Sequence, residues 1–282
     1  MKKLIYLLLL AISWPSFAAR QFDIEVIMFK RNIAPEQVNE SWPDQQKPIN
    51  LKGTISFGDS ARLKAKGISL MSPSDYQLNP QYSKLKGHAG FTPLAHFGWR
   101  QGDLSRAAAP KFYLTAGKDF SDKYLPDGTS KAEQQRRDIE AGTDGIVITA
   151  DNQPSTTSFD EEELGSDTQN LNEAQDKPLY ELEGMIRVYV QHYLFTDINV
   201  DLREPGRREV IVGTESLENI DPLLADNNVQ VGHLQAVNNK VEVEEYLKSY
   251  RFDQQRQMRS GETHYIDHPL MGMVIQIRRI DN

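Results

Sequence analysis

The chain has 282 residues, no cysteine, and 40 acidic against 32 basic residues, for a net charge of −8. The lack of cysteine excludes disulfide stapling, thiol catalysis and cysteine-based zinc sites. The acidic balance gives no support to nucleic acid as a partner, although a local arginine cluster can still meet an anion where the net charge does not favour it.

The first residues, MKKLIYLLLLAISWPSFAA, have the build of an export signal. Lys2 and Lys3 precede an apolar run from Leu4 to Ile12, and Ser16-Phe17-Ala18-Ala19 supplies the small residues at which signal peptidase cuts. The run is far short of the roughly 20 residues that a bilayer span needs. Residues 1–19 are therefore expected to be removed. No cysteine follows for lipid attachment, and no later segment is apolar enough to span a membrane.

The remainder reads as a single α+β domain in two parts, 20–150 and 179–282, separated by an acidic insertion. FDIEVIMF (22–29) alternates as a strand does. Residues 31–72 hold Pro35, Pro43, Pro48, Gly53 and Gly58 and lack sustained periodicity; they read as irregular, with a short hairpin at GTISFG. DYQLNPQYSKLKGHAG (75–90) predicts a helix with Asn79 as N-cap, Pro80 in the first helical position, and Gly87 or Gly90 at its end. PLAHFGWRQ (93–101) predicts a strand with Ala95, Phe97 and Trp99 on one side and His96 on the other, completing an early β-α-β unit. KFYLT (111–115) and GIVIT (145–149) read as strands, and SKAEQQRRDIEAG (130–142) as a short polar helix. Residues 151–178 are acidic and nearly free of aliphatics. Such a composition buries too little apolar surface to offset the entropy of ordering, so a disordered insertion is expected.

The strongest signal spans 181–203. Leu182, Ile186, Val188, Val190, Leu194, Ile198, Val200 and Leu202 fall on even positions, and charged and amide residues on odd ones. This predicts a long central half-buried strand, far beyond the usual length of about 5–6 residues, either bent or bulged or divided in two. Tyr189, Tyr193 and Phe195 take odd positions, either as a second core layer or as a platform for sugar rings. His192, on the apolar parity, reads as a core or boundary histidine. Residues 204–240 read as loop and short helix. Residues 244–280 read as a C-terminal β-hairpin, with Tyr246, Tyr250, Phe252 and Met258 sharing a parity, a turn at Ser260-Gly261, and Met271, Met273, Ile275 and Ile277 facing inward. The fold class is α+β with a largely antiparallel sheet.

The stretch THYIDHP places His264, Asp267 and His268 in the pattern H-x-x-D-H. A zinc H-E-x-x-H works because a helix brings i and i+4 together. Here Pro269 forces its predecessor toward extended backbone, and at about 3.3 Å per residue the two imidazoles stand roughly 13 Å apart. No serine-nucleophile elbow, P-loop or dinucleotide fingerprint occurs, and Asp160–Glu163 lacks the spacing of a calcium loop. The expectation is a non-catalytic protein without metal or cofactor. Arg251, Arg256, Arg259, Arg278 and Arg279 collect near the C-terminus, either to bind carboxylates of a cell-wall peptide or to pair with the protein's own acids.

HFGWRQ (96–101), LEGMIRVYVQHYLFTDINVDL (182–202) and QQRQMRSGETHYIDHPLMGMVIQI (254–277), together with FDIEVIMFKR and ESWP (40–43), resemble the CsiV family of Gram-negative exported proteins. The most specific part is the arginine-serine turn followed by H-Y-x-D-H-P-L-x-G. Gln257 and Phe195 depart from the family pattern, which has arginine and histidine there. The resemblance implies a periplasmic, non-enzymatic protein that binds peptidoglycan. It also implies help in wall assembly through a class A penicillin-binding protein and that enzyme's outer-membrane lipoprotein activator. It supplies no catalytic residues and no residue-level site. On this reading the ligand docks on the sheet or its C-terminal edge, with Arg256, Arg259, His264, Tyr265, Asp267 and His268 as binding candidates and Trp99 and Arg100 beside them. The alternatives are a metal-dependent wall hydrolase using His264 and His268, and a scaffold that binds only proteins through an exposed strand.

Overall fold

The computed structural model describes residues 20–140, 177–215 and 238–280. The leader, the GIVIT segment and nearly all of the acidic insertion lie outside these residues. Among the described residues, the strands form two five-stranded sheets. The first contains β1 (Gln21–Arg31), β3 (Ser69–Leu70), β4 (Phe91–Gly102), β9 (Thr263–Asp267) and β10 (Met271–Ile280), in the order β3-β4-β1-β10-β9 and antiparallel throughout. The second contains β2 (Thr54–Ser56), β5 (Lys111–Asp119), β6 (Tyr180–Gln191), β7 (Tyr193–Glu215) and β8 (Asn238–Met258), in chain order, with only β2 and β5 parallel. Three short helices accompany them: α1 (Ser60–Ala65), α2 (Asn79–Gly87) and α3 (Lys131–Glu140). The α+β class and the antiparallel pairing stand, but the strands divide between two sheets rather than one. No helix among the described residues is long and apolar enough to cross a membrane.

The alternating strands meet in one core. Phe22, Ile24, Val26 and Met28 of β1 and Met271, Met273, Ile275 and Ile277 of β10 pack with Leu182, Ile186 and Val188 of β6 and Ile198, Val200 and Leu202 of β7. Trp99 lies at the junction, its ring 4.7 Å from that of Phe112 on β5. Its indole N–H donates to Gln101 Oε1 at 2.7 Å, and the Gln101 amide donates to Val188 O of the other sheet at 2.9 Å. A buried polar relay therefore links the layers without leaving a partner unsatisfied.

The long signal at 181–203 is a hairpin. His192 takes φ 62°, the left-handed region, and reverses the chain. The pairing runs from Val190↔Leu194 to Leu182↔Leu202, symmetric about His192. Even positions of both arms therefore share one face, and the parity passes through the turn unbroken. His192 is exposed at that turn and is not a core histidine; histidine is among the residues that tolerate this backbone region. Residues 204–215 are not loop and helix: β7 continues and pairs with β8 as far as Glu215↔Asn238. Arg136 and Arg137 of α3 brace this ribbon through Glu242 and Glu244.

Three further expectations shift. GTISFG forms no hairpin, because Thr54–Ser56 pairs in parallel with Lys111–Tyr113. The helix α2 begins at Asn79 rather than after it, and Leu78 in the capping position makes no side-chain cap. A carboxylate from the sheet instead fixes the chain just before the helix: buried Glu25 of β1 accepts from Gln77 N at 2.7 Å and Leu78 N at 2.8 Å. Glu25 also holds His96 Nε2 at 2.9 Å and Arg278 Nη1 at 3.1 Å, so His96 is a satisfied boundary residue. Finally, Ser260-Gly261 is not a hairpin turn. β8 belongs to one sheet and β9 to the other, so this dipeptide carries the chain across; Gly261 N donates to Ile277 O at 2.8 Å and Ser260 Oγ accepts from Arg279 N at 2.9 Å. The hairpin proper joins β9 to β10 at His268-Pro269.

Candidate functional site

Strand β9 alternates between two environments. Ile266 pairs with Met273 and His264 with Ile275, both partners on the inner face of the first sheet, whereas Tyr265 pairs with Val274 and Asp267 with Gly272 on the outer face. The two histidines of H-x-x-D-H serve separate segments. His264 Nε2 accepts from Arg259 N at 3.2 Å, pinning the crossing between sheets. His268 is buried at the side of the sandwich, its ring 6.0 Å from Trp42 and 5.5 Å from Phe252, with Nδ1 accepting from Leu270 N at 3.2 Å. Burial pushes its pKa down to about 4, so it is neutral at pH 7. ESWP and HYIDHPL, far apart in sequence, thus meet as Trp42 against His268. Among the described residues no group of three or more His, Asp or Glu side chains is placed to hold a metal.

The other candidates separate clearly. Trp99 is fully buried and touches no surface, which removes it from any direct contact with a ligand. Arg100 presents Nε and Nη2 to Asp23 at 2.7 and 3.0 Å. Arg251 forks onto Asp201, and Arg278 reaches Glu25; both pair with the protein's own acids. Among the described residues Arg256 meets the neutral Gln254 Oε1, at 3.1 Å, and Arg259 is 82% exposed with Glu262 3.8 Å away. Of the sugar-platform alternative at 189–195, Tyr193 is exposed at the turn, but Tyr189 is covered. Tyr189 is buried, stacks on Phe195 at 5.5 Å, and lies under the guanidinium groups of Arg106 and Arg187, themselves held by Asp197.

Tyr265 and Asp267 come together with a residue the motif does not contain. Arg31, at the end of β1, donates from Nη2 to Tyr265 Oη at 2.7 Å and to Asp267 Oδ1 at 2.5 Å; Tyr265 Oη donates to the same Oδ1 at 2.6 Å. The Arg31 guanidinium lies 5.9 Å from the Phe91 ring centroid, within cation–π range. The Tyr265 ring stacks on buried Phe29 at 6.2 Å, and Phe91 meets Phe29 edge-on at 5.3 Å. The rings approach because Gly272 lies beneath them: a Cβ there would fall 2.5 Å from the Phe29 ring and 3.0 Å from that of Tyr265. Burial and the bond to Asp267 push the Tyr265 hydroxyl up to about 12. Burial alone would raise the Asp267 pKa, but the bonds from Tyr265 and Arg31 hold it below the ordinary aspartate value. At neutral pH the cluster is therefore a guanidinium and a carboxylate on a shelf of aromatic rings, with Tyr265 52% exposed. The sequence carried one local sign of Arg31, its shared parity with Phe29; the neighbourhood itself requires the strand order β1-β10-β9.

Fold and shelf together define a β-rich α+β sandwich that presents aromatic and charged side chains on the rim of one sheet. The chain matches the model of the peptidoglycan-binding protein family CsiV over residues 3–280, and it belongs to that family. No curated protein and no solved structure gives a match.

Proposed function

We propose that this protein is exported to the periplasm and binds peptidoglycan there without cleaving it. In this reading it regulates wall assembly together with a class A penicillin-binding protein and that enzyme's outer-membrane lipoprotein activator. The observation that carries the binding site is the open shelf of Tyr265, Phe91, Arg31 and Asp267, in a chain of a peptidoglycan-binding family. Aromatic faces suit the apolar faces of sugar rings, and a guanidinium suits the carboxylates of the wall peptide. Arg256, Arg259 and His264 are secondary candidates: Arg256 bonds Gln254, whose amide donates to Asp267 O, while His264 faces away from the shelf beside Arg259. The separate engagements of His264 and His268 weigh against the hydrolase alternative. The test is a pull-down with purified sacculi. Wild-type protein is expected in the pellet and the Tyr265→Ala variant largely in the supernatant. Wild-type protein left wholly in the supernatant beside a retained control would refute the binding. Crosslinking from positions 254–268 in intact cells tests the regulatory part, which fails if neither the synthase nor its activator is captured.

A further inference from the structure

Arg31 uses its fork differently from three of the arginines that are committed to the fold. Arg100, Arg106 and Arg251 each present Nε and a terminal nitrogen to a single carboxylate. Arg31 makes both of its side-chain hydrogen bonds from one nitrogen, Nη2. Among the described residues its Nη1 meets no acceptor, and neither does its buried Nε. The two-nitrogen geometry that matches a carboxylate is therefore unused. The present carboxylate partner, Asp267, has a side chain 61% exposed, against 27% for Arg31. The guanidinium is thus the sheltered half of the pair, braced on Phe91, and the carboxylate is the half open to exchange with solvent ions.

We propose that Arg31 is the receptor for a stem-peptide carboxylate of peptidoglycan, and that Asp267 is an internal competitor occupying it in the free protein. The inference rests on the peptidoglycan reading above and adds the moiety recognised: the peptide carboxylate rather than the glycan. An incoming carboxylate takes two parallel bonds from Nη1 and Nη2, the end of the fork away from the buried Nε, Asp267 swings to water, and the methyl groups of the peptide lie against Tyr265 and Phe91. A charge-assisted hydrogen bond contributes about 1.5–3 kcal/mol, or roughly ten- to a hundredfold in affinity.

The experiment uses the full processed protein and two soluble probes, a disaccharide-tetrapeptide and the same molecule with its stem carboxylates amidated, with affinity read by calorimetry. Wild type is expected to bind the free-acid probe at least about tenfold more tightly than the amide. Arg31→Gln should bring the free-acid affinity down toward that of the amide and change the amide far less, because both changes remove the same charge-assisted interaction. Asp267→Asn, an exposed substitution that leaves the fold intact, should tighten the free-acid probe several-fold and leave the amide unaffected. Equal affinity for the two probes, additive losses from amidation and Arg31→Gln, or weaker binding by Asp267→Asn would each overturn the proposal. Sacculi retained by a protein that ignores amidation would sink this inference and leave wall binding standing. No retention of sacculi would sink both.

Discussion

His268 should make the protein acid-labile, by an amount that the structure sets. The imidazole is 7% exposed and packed between Trp42 and Phe252, and burial brings its pKa down to about 4 from 6.5. Between these values the unfolded chain takes up a proton that the folded chain refuses. The stabilising contribution is therefore complete above pH 6.5 and is lost as the pH falls toward 4. Linkage at about 1.36 kcal/mol per pH unit gives a loss of about 2 kcal/mol between pH 7 and pH 5, and about 3 kcal/mol by pH 4. Other groups contribute in the same direction. Asp44, with hydrogen bonds from Lys248 and Tyr246, titrates below its ordinary range, as does Asp197, where bonds from Arg187, Gln255 and Arg106 outweigh burial. The readout is thus the difference between wild type and His268→Leu in urea unfolding at pH 7, 6 and 5. The variant loses the bond to Leu270 N at every pH, so its offset is constant and only the slope reports titration. Wild type should lose about 2 kcal/mol more than the variant between pH 7 and pH 5. Parallel curves would show that His268 protonates freely in the folded state and would refute the plug at the side of the sandwich.

Two other sites give clear expectations. A Cβ on Gly184 would lie 2.2 Å from Asn199 O and 2.4 Å from Val200 Cα, backbone atoms that cannot yield without opening the β6–β7 pair; Gly184→Ala should cost about 3 kcal/mol or more in chemical unfolding, and a loss under 1 kcal/mol would contradict the pairing. Gln101→Leu leaves the Trp99 indole N–H and Val188 O without their buried partner, for an expected loss of about 2 kcal/mol or more, together with a change in tryptophan fluorescence.

What the sequence disclosed follows from what alternation can encode. Parity put Met271, Met273, Ile275 and Ile277 on the inner face, and all four are buried. Parity is blind, however, to which sheet a strand joins, and to a reversal placed symmetrically about one residue. Both blind spots matter here: β8 and β9 read as a hairpin although they belong to different sheets, and 181–203 reads as one bent strand or two in sequence, without a reversal, because His192 mirrors even onto even. The anchor at Leu78 was hidden for another reason, since its acceptor lies on a strand more than 50 residues earlier. The site divides in the same way. Tyr265 and Asp267 were legible because they adjoin the H-x-x-D-H pattern, and the two histidines were correctly kept apart by the extended backbone that Pro269 favours. Arg31 was not legible, because 234 residues separate it from Tyr265.

The shelf is open because of how the outer face of the first sheet is covered. On the β1–β4 side, α2 packs over β4, Tyr82 stacks on His96 at 5.0 Å, and Glu25 ties the helix start to the sheet. At β9 the cover over Phe29 includes Tyr265 itself, half exposed. A tyrosine can serve both needs, because its ring shields Phe29 while its hydroxyl stays in contact with water and with Arg31. The residue that seals the core at this rim is therefore also part of the surface offered to a ligand. A loss of sacculus binding by Tyr265→Ala is meaningful only beside an unchanged unfolding midpoint, since truncation uncovers Phe29. Arg31 and Asp267 carry no such double duty: substituting either alters the charge on the shelf without removing a side chain from the core.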